Sequence, residues 1–159
     1  NDIGFFNPHA RFMPPLRSQN DRAALSTAAA SGLAAICSDH TPVGADDKLV
    51  PFGEAKPGAT GLEVLLPLTL KWAEAAQVDL PTALARITAM PARVLGSSAG
   101  SLAIGTNADI CVFDPAASWQ LTPEALKSRG KNSPWQGYMM SGQIRATLVG
   151  GRVVYQMRP

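Results

Sequence analysis

Apolar residues recur at helical spacing over much of the first hundred positions. An Ala-rich stretch predicts a helix over residues 22–30, with Asp21 as its N-cap. Residues 61–77 are long and apolar enough for a second helix, and Pro67 predicts that this helix kinks or begins near that residue. Residues 80–87 place apolar side chains at the i, i+3, i+4, i+7 spacing of a buried helical stripe. The pattern therefore predicts several short helices.

Residues that cap or interrupt helices mark where these segments end. Asp79 stands before the apolar stripe and can accept hydrogen bonds from the first N–H groups of that helix. Pro91 suits the first turn of a further short helix, and Gly96 suits its C-terminal stop. Residues 41–60 form instead a long loop rich in Pro, Gly and Asp. Loops of this length are usually functional or mobile.

Two kinds of strand pattern are present. Residues 33–37 are a short apolar run between polar and Gly positions, which predicts a strand buried on both faces, as in a parallel sheet. Residues 109–114 predict a second strand. Residues 144–149 and 152–155 are joined by a Gly-Gly pair, which predicts a β-hairpin. The pattern thus indicates an α/β protein that ends in a small antiparallel unit.

Composition supports a packed protein and excludes several function classes. The 159 residues carry a net charge of +2, with 16% charged and 46% hydrophobic residues, which excludes a disordered chain. The basic residues are scattered, so we expect no nucleic-acid partner. The longest uncharged apolar stretch, residues 23–37, has 15 residues, fewer than the roughly 18–20 that span a bilayer. We therefore expect no membrane partner.

The cysteines and the first residues bear on the cellular compartment. Cys37 and Cys111 lie far apart in apolar surroundings, so we expect two reduced, buried thiols and a cytoplasmic protein. The first residues lack the basic start and apolar core of a signal peptide. The chain begins without Met, from which we expect a piece of a longer protein.

The strongest candidate for chemistry is Asp39-His40, which follows the predicted strand 33–37. In parallel α/β folds, catalytic residues lie at the C-terminal ends of strands. A carboxylate in this place can bind a metal or move a proton. The same residue type also orders loops, so from the dipeptide alone both interpretations stay open.

A complete metal site cannot be assembled from the pattern. Catalytic zinc commonly has three protein ligands, but the only histidines are His9 and His40, and no HxH or HExxH motif is present. His9 lies in a Pro-containing loop, where we expect it to be exposed.

Several motifs together resemble one known family. Ser38-Asp39-His40-Thr41-Pro42, followed by Lys48, resembles the strand-eight signature of dihydroorotases, which are distorted (β/α)₈ barrels of the amidohydrolase superfamily. Further matching segments are Pro14-Pro15-Leu16-Arg17 with Asp21-Arg22, Pro51-Phe52, Pro57-Gly58, Gly61-Leu62-Glu63, Pro91-Ala92-Arg93, Ala108-Asp109-Ile110 and Gly142 to Tyr155. The resemblance covers nearly the whole chain.

The resemblance implies an architecture and a partner. The chain would be the C-terminal portion of a TIM-like, metal-dependent hydrolase barrel, because a complete barrel needs roughly 250 residues. Residues 1–100 would supply the last barrel strand and its helices, and residues 101–159 part of a small β-sandwich. The family's zinc ligands on strands one, four, five and six would lie in the N-terminal part of the same protein.

The resemblance also implies a reaction. In this family the aspartate matching Asp39 ligates zinc and acts as the catalytic proton shuttle. The reaction is the reversible cyclisation of N-carbamoyl-L-aspartate to dihydroorotate in pyrimidine biosynthesis. Pro57 and Gly58 match a segment that contacts the substrate through its backbone.

Two departures from the family pattern support an alternative. Active relatives carry Asn at the position of Met13 and His at the position of Val43, and each lost charge-assisted hydrogen bond costs on the order of 1.5–3 kcal/mol. The chain therefore also resembles non-catalytic dihydroorotase-like subunits, which are structural partners of aspartate transcarbamoylase in an oligomer. A third interpretation, a self-sufficient small binding domain, is disfavoured because a single barrel strand lacks neighbours.

Overall fold

The computed structural model describes residues 5–158. Short 3₁₀ turns occupy Pro8–Ala10 and Asp46–Lys48. The described part of the chain contains the helices α1 (Gln19–Ser31), α2 (Leu65–Ala75), α3 (Leu80–Ala85) and α4 (Ala89–Val94) and the strands β1 (Ile110–Gln120), β2 (Met139–Val149) and β3 (Arg152–Gln156).

Helix α1 begins earlier than the sequence predicts. Ser18 and Asp21 form a reciprocal cap, in which the Asp21 N–H donates to Ser18 Oγ at 3.2 Å and the Ser18 N–H donates to Asp21 Oδ2 at 3.1 Å. Each side chain thus satisfies a donor of the first turn. The prediction of Asp21 as the N-cap is wrong because Ser18 takes that role and Asp21 lies inside the helix.

The other helix signals hold. Pro67 lies in the first turn of α2, where its missing N–H breaks no hydrogen bond. Asp79 caps α3 by accepting from the Thr82 N–H at 2.9 Å. Gly96 follows α4 with φ +65°, the left-handed conformation that commonly ends a helix. These three features are set by neighbouring residues and need no tertiary contact.

The three strands form one sheet in the order β1-β2-β3. Strands β2 and β3 pair antiparallel, with Ala146 opposite Gln156 and Val149 opposite Arg152. Gly150 and Gly151 join them with φ +55° and +79°, values that favour glycine. The predicted hairpin is therefore confirmed. Strand β1 continues beyond its predicted end at residue 114, and β2 begins before its predicted start at residue 144.

The strand predicted over residues 33–37 is wrong. Residues 34–37 have no regular secondary structure in the described chain. The Ile36 N–H donates to the Arg86 carbonyl at 2.9 Å, but a parallel strand needs a ladder of such bonds with a neighbouring strand. The expected burial of Cys37 and Cys111 is also wrong, since both residues are exposed. An apolar run predicts burial only where a neighbour covers it.

The chain divides into two units. The loop unit comprises Asn1–Arg22, of which residues 5–22 are described, with Ser38–Leu65 and Gln120–Met139. The helix–sheet unit comprises Ala23–Cys37, Leu66–Trp119 and Met140–Pro159, described through residue 158. The expected division into residues 1–100 and 101–159 of the intact fold stays a prediction.

Within the helix–sheet unit, hydrogen bonds hold the helices to each other. Trp72 Nε1 donates to Ser26 Oγ at 2.9 Å, which joins α2 to α1. Arg86 donates to the carbonyls of Ala29 and Ala30 at 2.6 and 3.1 Å, and so satisfies the C-terminal end of α1. None of the described helices is both long and apolar enough to cross a lipid bilayer.

Candidate functional site

Asp39 lies in the loop unit in a backbone conformation that few residues favour. Its φ is +43°, and aspartate is one of the few residues with a side chain that visits this left-handed region readily. The residue is exposed. The Thr41 hydroxyl donates to the Asp39 carbonyl at 3.4 Å. The left-handed φ bends the chain over residues 38–41 (the Asp39 turn), and the carboxylate is presented to solvent from this bend.

The residues around Asp39 are attached to a second segment, residues 59–62. The Gly61 and Leu62 N–H groups both donate to His40 Nδ1, at 3.1 and 3.3 Å. Nδ1 therefore carries no proton, and the proton of the neutral imidazole lies on Nε2. The Thr41 N–H donates to the Ala59 carbonyl at 3.0 Å. These bonds fix the chain on the C-terminal side of Asp39.

Gly61 can approach this closely only because it has no side chain. A Cβ at position 61 would collide with the carbonyl oxygen of Ser38, the residue before Asp39. Residues 59–62 therefore lie against the chain on both sides of Asp39.

Gly58 has both of its backbone polar groups paired. Its N–H donates to the Arg11 carbonyl at 3.0 Å, and its carbonyl accepts from Asn132 Nδ2 at 3.0 Å. Its φ is +132°, and a Cβ there would strike Thr41. A substrate contact through Gly58 would use the second lone pair of its carbonyl, because the N–H is already engaged. The predicted backbone contacts of Pro57 and Gly58 stay a prediction.

Lys48, part of the family signature, is a buried structural link. It is 2% exposed, and its Nζ donates to the carbonyls of Pro8 at 3.0 Å and Arg11 at 3.3 Å. Burial lowers the pKa of Lys48, and the nearby charge of Arg11 lowers it further. The ammonium group thus attaches the turn Asp46–Lys48 to residues 8–11.

Met13 and Val43, the two departures from the family pattern, have opposite environments. Met13 is 68% exposed, whereas Val43 is 9% exposed. Gly130 lies against the backbone of Val43, since a Cβ at position 130 would lie 3.0 Å from Val43 N and O. Position 43 is therefore part of the packing of the loop unit.

Sequence reasoning missed Asn132. This residue is buried and pairs through Oδ1 with His9 Nδ1, while its main-chain carbonyl accepts from the Thr60 N–H at 2.8 Å. His9 is exposed, as expected. A single asparagine in a polar segment belongs to no motif, so no signal in the sequence distinguishes it.

Glu63 is a second residue whose role the motif did not show. Its carboxylate accepts from the Lys127 N–H, the Ser128 N–H and the Ser128 hydroxyl, at 2.9, 2.7 and 3.0 Å. Partial burial acts to raise the pKa of Glu63, but these donors outweigh it, so the pKa lies below its ordinary value. Glu63 thereby attaches the end of the loop that follows Gly58 to residues 127–128.

The described residues do not form a complete metal centre. Within residues 5–158, no group of three or more His, Cys, Asp or Glu side chains is arranged to hold a metal ion. Among the exposed carboxylates of the loop unit, that of Asp39 lies beside the segment that backbone hydrogen bonds attach to residues 59–62. Such a group can contribute one ligand or carry one proton.

Comparison with known proteins identifies relatives over nearly the whole chain. The model of the amidohydrolase family matches residues 5–155. The chain is 41% identical over 154 residues to a dihydroorotase of Trichlorobacter lovleyi, covering 96% of the chain and 36% of that protein. It is 44% identical over 155 residues to a dihydroorotase-like protein of Pseudomonas aeruginosa, covering 97% of the chain and 36% of that protein. The chain thus spans 36% of the length of these curated relatives.

Solved structures show the same fold. An L-hydantoinase (dihydropyrimidinase) from Arthrobacter aurescens has a TM-score of 0.86 at 27% identity, covering 98% of the chain and 36% of that structure. A D-hydantoinase (dihydropyrimidinase) from Thermus sp. has a TM-score of 0.83 at 21% identity, covering 94% and 34%. They confirm the predicted fold class, an α/β chain that forms part of a TIM-barrel hydrolase. The resemblance to dihydroorotases is confirmed, and the chain belongs to the amidohydrolase family.

Proposed function

We propose that this chain is part of a dihydroorotase, which hydrolyses the ring amide of dihydroorotate reversibly to N-carbamoyl-L-aspartate in pyrimidine biosynthesis. The observation that carries the proposal is the identity of about 40% with dihydroorotases over 95% or more of the chain, which includes the Asp39 turn. The fixed, exposed carboxylate of Asp39 supports it. The substrate is a small molecule. We expect the protein to be located in the cytoplasm.

Asp39 would move the proton that the reaction requires. Hydrolysis adds the oxygen of water to the ring carbonyl carbon and breaks that carbon's bond to the ring nitrogen. The attacking water must lose a proton, and the departing nitrogen must gain one. A single carboxylate can accept the first proton and deliver it to the nitrogen, so it serves both halves of the step. The fixed turn keeps this carboxylate in one place during both transfers.

Dihydroorotases and their amidohydrolase relatives are in general metal-dependent. We propose zinc as the metal, with Asp39 as one ligand, because carboxylate oxygens are among the ligands that zinc takes in proteins. Bound zinc would supply Lewis-acid activation of water at neutral pH. Since the described residues offer no group of three ligands, the others would come from the N-terminal part of the same protein.

The substrate would lie against the loop that carries Pro57 and Gly58. The hydrogen bonds of the Gly58 N–H and carbonyl fix the two peptide groups that flank Gly58. Its carbonyl can accept a further hydrogen bond from an N–H of the substrate ring. The exposed position of Met13 would leave that residue beside the substrate as an apolar contact.

One observation favours a second candidate function. The buried side chain of Val43 and the apolar Met13 replace two polar contacts, and the chain is 44% identical to a dihydroorotase-like protein. The alternative is a non-catalytic subunit that forms an oligomer with aspartate transcarbamoylase. Such a subunit would copurify with the transcarbamoylase and would not turn over dihydroorotate.

Turnover by the full-length protein that carries this chain distinguishes the two candidates. The zinc-loaded protein should hydrolyse dihydroorotate, and Asp39→Asn should lower kcat by about 10²–10⁴-fold. Asp46→Asn, a change of the same kind at another exposed aspartate, should leave kcat unchanged. No turnover by zinc-loaded wild type would overturn the catalytic proposal.

A further inference from the structure

Asn132 joins three separate segments of the loop unit. Its Nδ2 donates to the Gly58 carbonyl at 3.0 Å, its Oδ1 pairs with His9 Nδ1, and its main-chain carbonyl accepts from the Thr60 N–H at 2.8 Å. The residue is 6% exposed. Loss of either side-chain partner would leave a desolvated polar group, so the amide is held firmly in place.

The chemistry of the partners fixes the orientation of this amide. The Gly58 carbonyl can only accept a hydrogen bond, so the NH₂ group of Asn132 faces it. Oδ1 then faces His9, and His9 Nδ1 must carry the proton that it donates. Each group in this chain of hydrogen bonds therefore has one defined role.

The hydrogen bonds of Gly58, Asn132 and His9, together with the chain from His9 to Arg11, close into a ring that contains Gly58. The Gly58 N–H donates to the Arg11 carbonyl at 3.0 Å, and Arg11 follows His9 by two residues along the chain. Lys48 holds the same segment, since its Nζ donates to the Arg11 carbonyl at 3.3 Å. Asn132 is thus the side chain that fixes Gly58 directly, through Nδ2, and indirectly, through His9.

Gly58 needs such support because its own backbone does not favour one conformation. Its φ of +132° is a region that glycine enters without steric restraint and that other residues avoid. Without the amide of Asn132, the Gly58 carbonyl would lose a partner that points it in one direction.

We infer that Asn132 is a positioning residue for substrate binding. It holds the Gly58 carbonyl in the orientation in which the loop of Pro57 and Gly58 meets the substrate. The identity of the substrate in this inference rests on the proposed dihydroorotase function. The positioning of Gly58 by Asn132 rests on the geometry alone. It assigns a role to the segment Gln120–Met139, in which the family motifs place no functional residue.

Kinetics of the full-length, zinc-loaded protein test the inference. Asn132→Ala should raise KM for dihydroorotate about tenfold and change kcat by less than about threefold, because binding is lost and the proton transfer at Asp39 is not. Asn132→Asp should raise KM similarly, since it keeps the shape and the acceptor but cannot donate to Gly58. The control is Gln136→Ala, whose amide donates to the Lys131 carbonyl at 2.8 Å. The control should leave KM unchanged.

A merely structural role would give a different result. Fewer folded molecules would lower the apparent kcat and leave KM unchanged, and this outcome in both Asn132 variants would overturn the inference.

Hydrogen–deuterium exchange separates this inference from the proposed function. In Asn132→Ala, the amide hydrogens of Gly58 and Thr60 should exchange about tenfold faster or more, because the Gly58 N–H belongs to the ring and the Thr60 N–H is bonded to the main-chain carbonyl of Asn132. Those in Gln136→Ala should exchange at the wild-type rate. Unchanged exchange in Asn132→Ala would overturn the positioning role. Absence of turnover in the wild type would overturn the proposed function and leave the exchange result intact.

Discussion

Glu63 and Ser128 are joined by two hydrogen bonds, one from the Ser128 N–H to Oε1 at 2.7 Å and one from the Ser128 hydroxyl to Oε2 at 3.0 Å. Both carboxylate oxygens of Glu63 thus accept from one residue that lies 65 positions away. Hydrogen bonds to a charged group are stronger than those between neutral groups. This pair therefore attaches the loop that follows Gly58 to the segment that contains Asn132.

Replacing Glu63 with Gln should destabilise the full-length protein by about 1 kcal/mol at pH 7. The amide can accept at only one oxygen, so the Ser128 hydroxyl must turn to accept from the amide NH₂, and the hydrogen bonds lose their charge assistance. Thermal denaturation measures the effect, with Glu54→Gln as the control at an exposed glutamate. Equal melting temperatures for the two variants would contradict the prediction.

The contribution of Glu63 should also depend on pH. Its pKa in the folded protein lies below the ordinary value of 4.5, so the ionised form is favoured by folding. The stabilisation is therefore complete well above pH 4.5 and is lost as the pH falls through the folded-state pKa. Melting temperatures of wild type and Glu63→Gln should converge on acidification, whereas a constant difference would count against this assignment.

Arg86→Ala should destabilise the helix–sheet unit by about 2–3 kcal/mol. The change removes the donors to the Ala29 and Ala30 carbonyls at the end of α1, and it leaves these acceptors without a charged partner. Arg93→Ala, at an exposed position in the last turn of α4, is the matched control. Denaturant titration of the full-length protein should show a lower midpoint for Arg86→Ala alone.

Gly61→Ala should cost about 1–3 kcal/mol and impair turnover. The added methyl group would collide with the Ser38 carbonyl, so the Asp39 turn must move. Gly53→Ala adds the same group in open space and should have little effect on either quantity. A Gly61→Ala protein with wild-type stability and kcat would show that the close approach is not needed.

Restoring the family residues at the two departures should have unequal effects on stability. Val43→His places a polar ring in a buried position and should cost about 1–3 kcal/mol. Met13→Asn changes an exposed side chain and should stay within about 0.5 kcal/mol of the wild type. Melting temperatures of the two variants test this. A Val43→His protein with the wild-type melting temperature would mean that the side chain at position 43 can turn out of the packed interior toward the substrate.

The features that the sequence predicts well are those that depend on neighbouring residues. Asp79 caps α3 as expected because its partner, the Thr82 N–H, is three residues away. The strand over residues 33–37 was not predicted correctly because strand formation depends on a neighbour that an apolar run does not specify. The Asp39 motif identified the family through a resemblance, but the pattern alone left its role open.

Asn132 shows why part of the candidate site could not be predicted. Its partners Gly58 and His9 lie 74 and 123 residues away along the chain. A single polar residue carries no periodicity or spacing that would indicate such contacts. Only the folded chain brings these three segments together, so the network becomes apparent from the structure.

The left-handed backbone at Asp39 also bears on how this protein can change during evolution. Asparagine and glycine are the residues that best tolerate φ near +43°, and each is one nucleotide change from an aspartate codon. A single mutation can therefore remove the carboxylate while the turn keeps its conformation. Catalysis can be lost here without loss of the fold. An enzyme of this kind can therefore evolve into a non-catalytic, structural protein through a single nucleotide change.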